Sequence, residues 1–155
     1  MTSRAPGRLS RQRGAALVEA IVVSPLMLLL IVATAEVTNA FVDHNTLTKT
    51  TRNAARYLSA NSVLGTTGVV QLQADTVAET QRLAVYGNLL GTGSPVLPGL
   101  SVSNIQVLNA GNNNIQVSIT YPYTGLLGGA LPGFGYGAGG DLSVNLRATV
   151  TMRAL

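Results

Sequence analysis

The sequence predicts an α+β protein in which a long N-terminal helix carries a second helix and a small three-stranded antiparallel sheet. Three observations predict it: an apolar run over residues 15–35, helical spacing of apolar residues beyond it, and alternation of apolar and polar residues after Gly91. We divide the 155 residues into a basic leader (1–14), a transmembrane helix continuing as an amphipathic stalk (15–60), and an extracytoplasmic α+β domain (61–155).

The leader carries the excess positive charge. The formal net charge is +4, and ten basic residues stand against six acidic ones. Four arginines precede every acidic residue: Arg4, Arg8, Arg11 and Arg13. The rest of the chain is therefore neutral, which argues against nucleic acid as a partner. By the positive-inside rule the arginines place the N-terminus in the cytoplasm and the later residues outside it.

The apolar run predicts a single membrane-spanning helix. As a helix, residues 15–35 reach about 31 Å, close to the hydrocarbon thickness of a bilayer. Pro25 lies inside this run and predicts a kink. Glu19 is its only charged residue. Such a carboxylate costs about 2.5–3.5 kcal/mol at the bilayer centre and therefore calls for a partner.

Cleavage between Gly14 and Ala15 would supply that partner. The new α-amine of Ala15 would lie about one helical turn from Glu19 in the same chain. Between staggered chains, the amine of one could neutralise the carboxylate of the next. The carboxylate would then set the axial register of an assembly, a well-attested use of a buried ion pair.

The run RGAALVEAIVVSPLMLLLIVATAEVTNAF resembles the start of TadE-like proteins, the pilin-like components of tight-adherence (Tad) pilus systems, and more loosely type IV prepilins. The resemblance implies that a prepilin peptidase cuts after Gly14, that Ala15 becomes the mature N-terminus, and that Glu19 acts in processing or assembly. The later run YPYTGLLGGALPGFG, with the strand that ends in ATVTMR, is similar to the C-terminal part of many TadE-like proteins.

That resemblance implies a membrane-anchored minor pilin or pseudopilin with roles in pilus assembly and adhesion. The implied partners are the lipid bilayer, other pilin-like subunits, the Tad assembly machinery and the prepilin peptidase. Two alternatives stay open. Residues 33–35 (Ala-Thr-Ala) form a small-x-small site, so an ordinary signal peptidase could cut after Ala35 and release a secreted protein. The anchored domain could also be a surface-binding or adhesin module unconnected with pili.

The sequence offers little for catalysis. The absence of cysteine excludes disulfides, thiol catalysis and the common zinc sites. His44 is the only histidine and adjoins Asp43, but no nucleophile motif accompanies the pair. The acidic residues are scattered along the chain and suggest no metal site. We therefore expect no enzyme activity, no catalytic residues, no metal and no cofactor.

Helical spacing continues beyond the apolar run. It predicts one helix from Ala15 to about Leu58, then a loop over residues 61–68, then a second helix over 69–90 that stops at Gly91. The residues expected to face the domain from the stalk are Val37, Ala40, Phe41, His44, Leu47, Thr51, Ala54, Ala55 and Leu58. Those expected to be buried on the second helix are Leu72, Val77, Leu83, Leu89 and Leu90.

Alternating residues predict three strands. The first covers residues 100–108, with a bulge near Asn104, and the second covers 115–121 after a turn over 109–114. The third covers 142–153. The glycine-rich stretch between the last two strands, residues 125–140, is expected to be a surface loop or a subunit contact.

Overall fold

A computed structural model describes residues 8–63, 69–125, 128, 140 and 143–155, with backbone alone for 8–13. Its elements are α1 (Arg8–Asn61), α2 (Ala74–Tyr86), a short 3-10 helix (Val102–Asn104), β1 (Ile105–Gly111), β2 (Asn114–Tyr123) and β3 (Val144–Arg153). The strands form one antiparallel sheet in the order β1-β2-β3. The α+β class and the long helix, second helix and three-stranded sheet predicted from the sequence are confirmed.

Helix α1 is continuous over 54 residues, a length of about 81 Å at 1.5 Å per residue. It starts at Arg8, inside the predicted leader, where arginine, leucine and glutamine all favour helix. Its last turn is closed by Asn61, whose side-chain amide donates a hydrogen bond to the Tyr57 carbonyl (2.8 Å). The predicted continuity from membrane span to stalk is therefore present, with an additional N-terminal extension.

The C-terminal half of α1 packs on the inner face of the sheet. Leu47 and Leu58 are fully buried, as are Ile115, Val117 and Ile119 of β2. Ala54, Ala55 and Thr51 complete the buried stripe of the helix. The prediction was wrong for Val37, Phe41 and His44, which are exposed. At 100° per residue they lie on the same face as Ala55, Ser59 and Ser62, which follow about five turns later and are buried. The domain therefore covers that face only towards the C-terminal end of α1.

Helix α2 is shorter than predicted, starting at Ala74 and ending at Tyr86. Gly87 stops it by adopting a left-handed conformation (φ 71°), and its N–H bonds to the Leu83 carbonyl. The chain then turns through Asn88, so Leu89 and Leu90 are exposed and not buried as predicted. On the stalk side, the Tyr57 hydroxyl donates a 2.6 Å hydrogen bond to Glu79 of α2.

The first strand begins later than predicted because residues 102–104 form the 3-10 helix. The irregular parity near Asn104 therefore reflects that helix, and the bulge lies instead between Asn109 and Gly111. Asn112 and Asn113 form the two-residue turn with φ values of 49° and 61°. Asparagine tolerates this left-handed region better than most residues, so the predicted turn is confirmed in narrower form.

The third strand pairs with β2 along its whole length, from Val144 opposite Tyr123 to Arg153 opposite Asn114. The chain terminus is held against the stalk, since Leu155 N–H donates to the Ser59 carbonyl and the Ser59 hydroxyl donates to the Arg153 carbonyl. The first residue of the predicted third strand (142) and most of the glycine-rich stretch lie outside the described residues, and Ser143 precedes β3.

Candidate functional site

The first half of α1 is apolar and uncovered. Leu17, Leu26 and Leu30 are 61–65% exposed. By length and composition the helix can cross a membrane, and none of its most apolar 18 residues is buried. The core helix of a soluble protein would hide such side chains, and this helix presents them around its circumference. The protein is therefore anchored in a membrane through this helix.

The residues of the predicted processing site all lie on this uncovered part of α1. Gly14, Ala15 and Glu19 are exposed, and Ala15 and Glu19 are separated by one helical turn. A methyl group added at Gly14 would meet no atom within 4 Å outside the neighbouring helix backbone. Glycine inside a helix costs about 0.5–1 kcal/mol relative to alanine. Packing in the folded chain therefore gives no reason for glycine at this position.

Pro25 is accommodated inside α1 without a break in the helix. A proline has no N–H for the carbonyl four residues earlier, which here belongs to Ile21. The Ser24 hydroxyl donates to that carbonyl at 3.4 Å, a long and weak bond. The freed carbonyl thus has a neighbouring donor, as in membrane helices that contain proline. The kink at Pro25 stays a prediction.

The structure reveals a buried carboxylate just after the C-terminal end of the apolar run. Glu36 is 6% exposed, and its Oε2 atom accepts a 2.9 Å hydrogen bond from the Tyr123 hydroxyl at the end of β2. A Cβ atom at Gly125 would lie 2.5–2.7 Å from the Glu36 carboxyl atoms. A side chain at position 125 would therefore displace this carboxylate from its present place.

The surroundings of Tyr123 keep its hydroxyl protonated. Burial raises the pKa of Tyr123 to about 12, with further contributions from the hydrogen bond to Glu36 and from the charges of Glu36 and Asp43. Burial, followed by the Asp43 charge, also raises the pKa of Tyr121, whose hydroxyl donates to the Pro98 carbonyl (2.9 Å). Both tyrosines are therefore hydrogen-bond donors at neutral pH. Tyr123 joins the sheet to Glu36, just after the C-terminal end of the apolar run.

Sequence reasoning missed the contact between Glu36 and Tyr123. From the sequence, neither residue was assigned a functional role. A usable signal was present, because an acidic residue directly after a membrane span needs a partner or water. The partner lies 87 residues away in the chain, a separation that local patterns do not report.

Asp43 and His44, the pair considered for catalysis, take no part in the contact between Glu36 and Tyr123. His44 is exposed and Asp43 is half-buried on the stalk. Within the described part of the chain, no three histidine, aspartate or glutamate side chains come together as metal ligands.

Comparison with known protein families gives a match for part of α1. The family described as TadE-like protein matches residues 14–56. Over these residues the chain is similar to TadE-like proteins. The TadE-like segment starts at Gly14, contains Glu19, Pro25 and Glu36, and ends within the buried part of the stalk, which confirms the resemblance predicted from the sequence. No curated protein and no solved structure matches the chain. The resemblance proposed for the C-terminal part lies beyond the match and stays a prediction.

Proposed function

We propose that the protein is a minor pilin or pseudopilin of a Tad-type pilus, with its N-terminus in the cytoplasm and its α+β domain outside. The match of the TadE-like segment to an uncovered apolar helix carries this proposal. Such a helix needs lipid before assembly and neighbouring helices after it. The protein is then a structural subunit without enzyme activity, and its partners are other pilin-like subunits and the assembly machinery.

Processing after Gly14 by a prepilin peptidase is the first step of the proposal. Gly14 is exposed and packing does not require it, which supports a role in recognition by another protein. The peptide bond lies inside α1, so the helix must unwind locally before a peptidase can reach it. Cleavage removes the basic leader and leaves an α-amine at Ala15.

Glu19 then acts in axial registration. Its carboxylate is exposed on the apolar helix, where lipid offers no hydrogen bonds. The Ala15 amine of a neighbouring subunit neutralises it when the two helices are staggered correctly. Incorrect staggers leave a charge in lipid, so the correct stagger is favoured by the desolvation cost of the unpaired carboxylate.

The alternative cleavage after Ala35 is disfavoured by the position of Glu36. That cut would place the new amino terminus on Glu36, a buried residue that Tyr123 of the sheet holds. Mass spectrometry of the mature N-terminus from envelope fractions distinguishes the routes. A start at Ala15 supports the proposal, and a start at Glu36 refutes it.

A second experiment tests registration. We expect Glu19→Gln to insert into the membrane normally and to be lost from pili or from pulled-down subunit complexes. The matched control is Asp75→Asn, which changes an exposed carboxylate on α2, away from the apolar helix. Normal assembly by Glu19→Gln would remove Glu19 from the mechanism. Neighbouring genes for a secretion ATPase and a prepilin peptidase would separate the pilus role from that of an unrelated adhesin.

A further inference from the structure

The exposed apolar surface of α1 does not stop where the predicted membrane span ends. Beyond residues 15–35, Val37 is 70% exposed, Phe41 is 66% exposed and Val42 is 54% exposed. The polar residues that follow, Asp43 and His44, mark the return to a hydrated helix. The apolar surface that enters the membrane therefore continues for about two further turns, next to the domain.

The distribution of these residues around α1 indicates what covers them. At 100° per residue, Val37 and Val42 point about 140° apart. Thr38 lies between them, and its hydroxyl is occupied by a 2.8 Å hydrogen bond to the Thr34 carbonyl. Together with Phe41 they form one exposed face about 140° wide, which continues the uncovered surface of the membrane span. Because lipid covers that span, we expect lipid also to cover this apolar face where it leaves the hydrocarbon.

The length of the helix places these turns in the headgroup layer. If Ala15 lies at the inner edge of the hydrocarbon, Ala35 lies at its outer edge after about 30 Å. The rise from Glu36 to Phe41 is about 8 Å, close to the thickness of one headgroup layer. Aromatic residues are enriched at this depth.

Glu36 provides the second observation. It lies at the depth where the hydrocarbon ends, and burial of a carboxylate is unfavourable unless it is hydrogen-bonded. In this chain the end of β2 shields it: Tyr123 donates to it and Gly125 allows the close approach. A glutamate in open water would need no such shield. Where the alternative surroundings are lipid, this shielding keeps the carboxylate hydrogen-bonded and out of the hydrocarbon.

We propose that the α+β domain sits directly on the bilayer, with the outer turns of α1 (Val37–Val42) and the Tyr123–Gly125 end of β2 in the outer headgroup layer. The bilayer interface is then a second contact surface, beyond the span itself. Insertion of the apolar helix is assumed, and a role in pili is not. The domain is held close to the membrane before any assembly, with Glu36 and Tyr123 joining the two.

Tryptophan quenching tests the proposal, because the chain contains no tryptophan. Single variants Leu26→Trp, Phe41→Trp and Arg52→Trp of the full chain are placed in phosphatidylethanolamine–phosphatidylglycerol vesicles that carry a spin label at the headgroup or deep in the acyl chain. All three native side chains are exposed, so folding is not at risk. Arg52 lies on nearly the same face as Phe41 but about 16 Å farther along the helix.

We expect the deep label to quench Leu26→Trp most strongly. The headgroup label should quench Phe41→Trp roughly threefold or more above Arg52→Trp, given their separation of about 16 Å. If Leu26→Trp is quenched but Phe41→Trp behaves like Arg52→Trp, the domain stands clear of the membrane and only this inference is overturned. If Phe41→Trp is shielded from both the lipid label and aqueous iodide, another protein surface covers it, which also overturns the inference. An unquenched Leu26→Trp refutes insertion, and with it the proposed function.

Discussion

Replacement of Tyr123 by phenylalanine removes one hydroxyl from the contact between the sheet and the C-terminal end of the membrane span. Tyr123 and Glu36 are each only 6% exposed, so water cannot readily replace the lost donor. A hydrogen bond to a charged group contributes about 1.5–3 kcal/mol, against about 0.5–1.5 kcal/mol for a neutral one. Tyr121→Phe is the matched control, because it removes a hydroxyl of equal size that donates to a neutral carbonyl.

Native-state hydrogen exchange in lipid nanodiscs provides the assay. The backbone N–H groups of Val117 and Ile119 lie in the central strand, so their exchange reports opening of the domain. We expect Tyr123→Phe to accelerate their exchange by about 10- to 100-fold. Tyr121→Phe should accelerate it by roughly 10-fold or less.

Gly125→Ala should act on the same carboxylate from the other side. The added methyl group would lie 2.5–2.7 Å from the Glu36 carboxyl atoms, and overpacking of this kind costs about 1–3 kcal/mol. The carboxylate must move away and lose its alignment with Tyr123. The double variant Tyr123→Phe/Gly125→Ala should therefore cost less than the sum of the single variants by about 0.5 kcal/mol or more. Gly14→Ala, which meets no such contact, should leave exchange in the domain unchanged.

Two results would refute this reasoning. Equal effects of Tyr123→Phe and Tyr121→Phe would show that the charged acceptor adds nothing. Strict additivity of Tyr123→Phe and Gly125→Ala would show that the two residues do not share Glu36 as a contact.

Three further predictions concern the stability of the domain and of the part of α1 that packs on it. Stability should fall as pH rises from 10 towards 12, because this tyrosine, Tyr123, deprotonates near its ordinary pKa of 10.0 in the unfolded chain, whereas burial holds the pKa of Tyr123 at about 12 in the folded protein. Urea midpoints measured at several pH values check this, and Tyr123→Phe should show a smaller fall. Leu47→Ala should lower the free energy of unfolding by about 2–5 kcal/mol, since Leu47 is fully buried, whereas Phe41→Ala should change that free energy by about 0.5 kcal/mol or less. Equal urea midpoints for the two variants would contradict the assigned burial. Gly87→Ala should lower the free energy of unfolding by about 1 kcal/mol, because the C-cap φ of 71° is unfavourable for alanine. An unchanged melting temperature would contradict a left-handed cap.

Regular periodicity was sufficient for much of the fold. The spacing of Leu47, Thr51, Ala54 and Leu58 predicted the buried stripe, and the alternation through β2 predicted its inner face. Local patterns did less well where glycine or asparagine redirected the chain. Helix α2 ended at Gly87 because a left-handed residue there terminated it before the later leucines could join, and a window of hydrophobicity does not report that conformation.

The sequence by itself determined the membrane helix, the basic segment before it, its resemblance to TadE-like proteins and the class of the domain, because each depends on composition or on short-range patterns. The tertiary structure decided how far along the stalk the domain covers this face, leaving Val37 and Phe41 exposed. It also decided that Glu36 is held by Tyr123 beside Gly125. These contacts join residues far apart in the chain, and they depend on how the sheet docks on the helix, which no local pattern encodes.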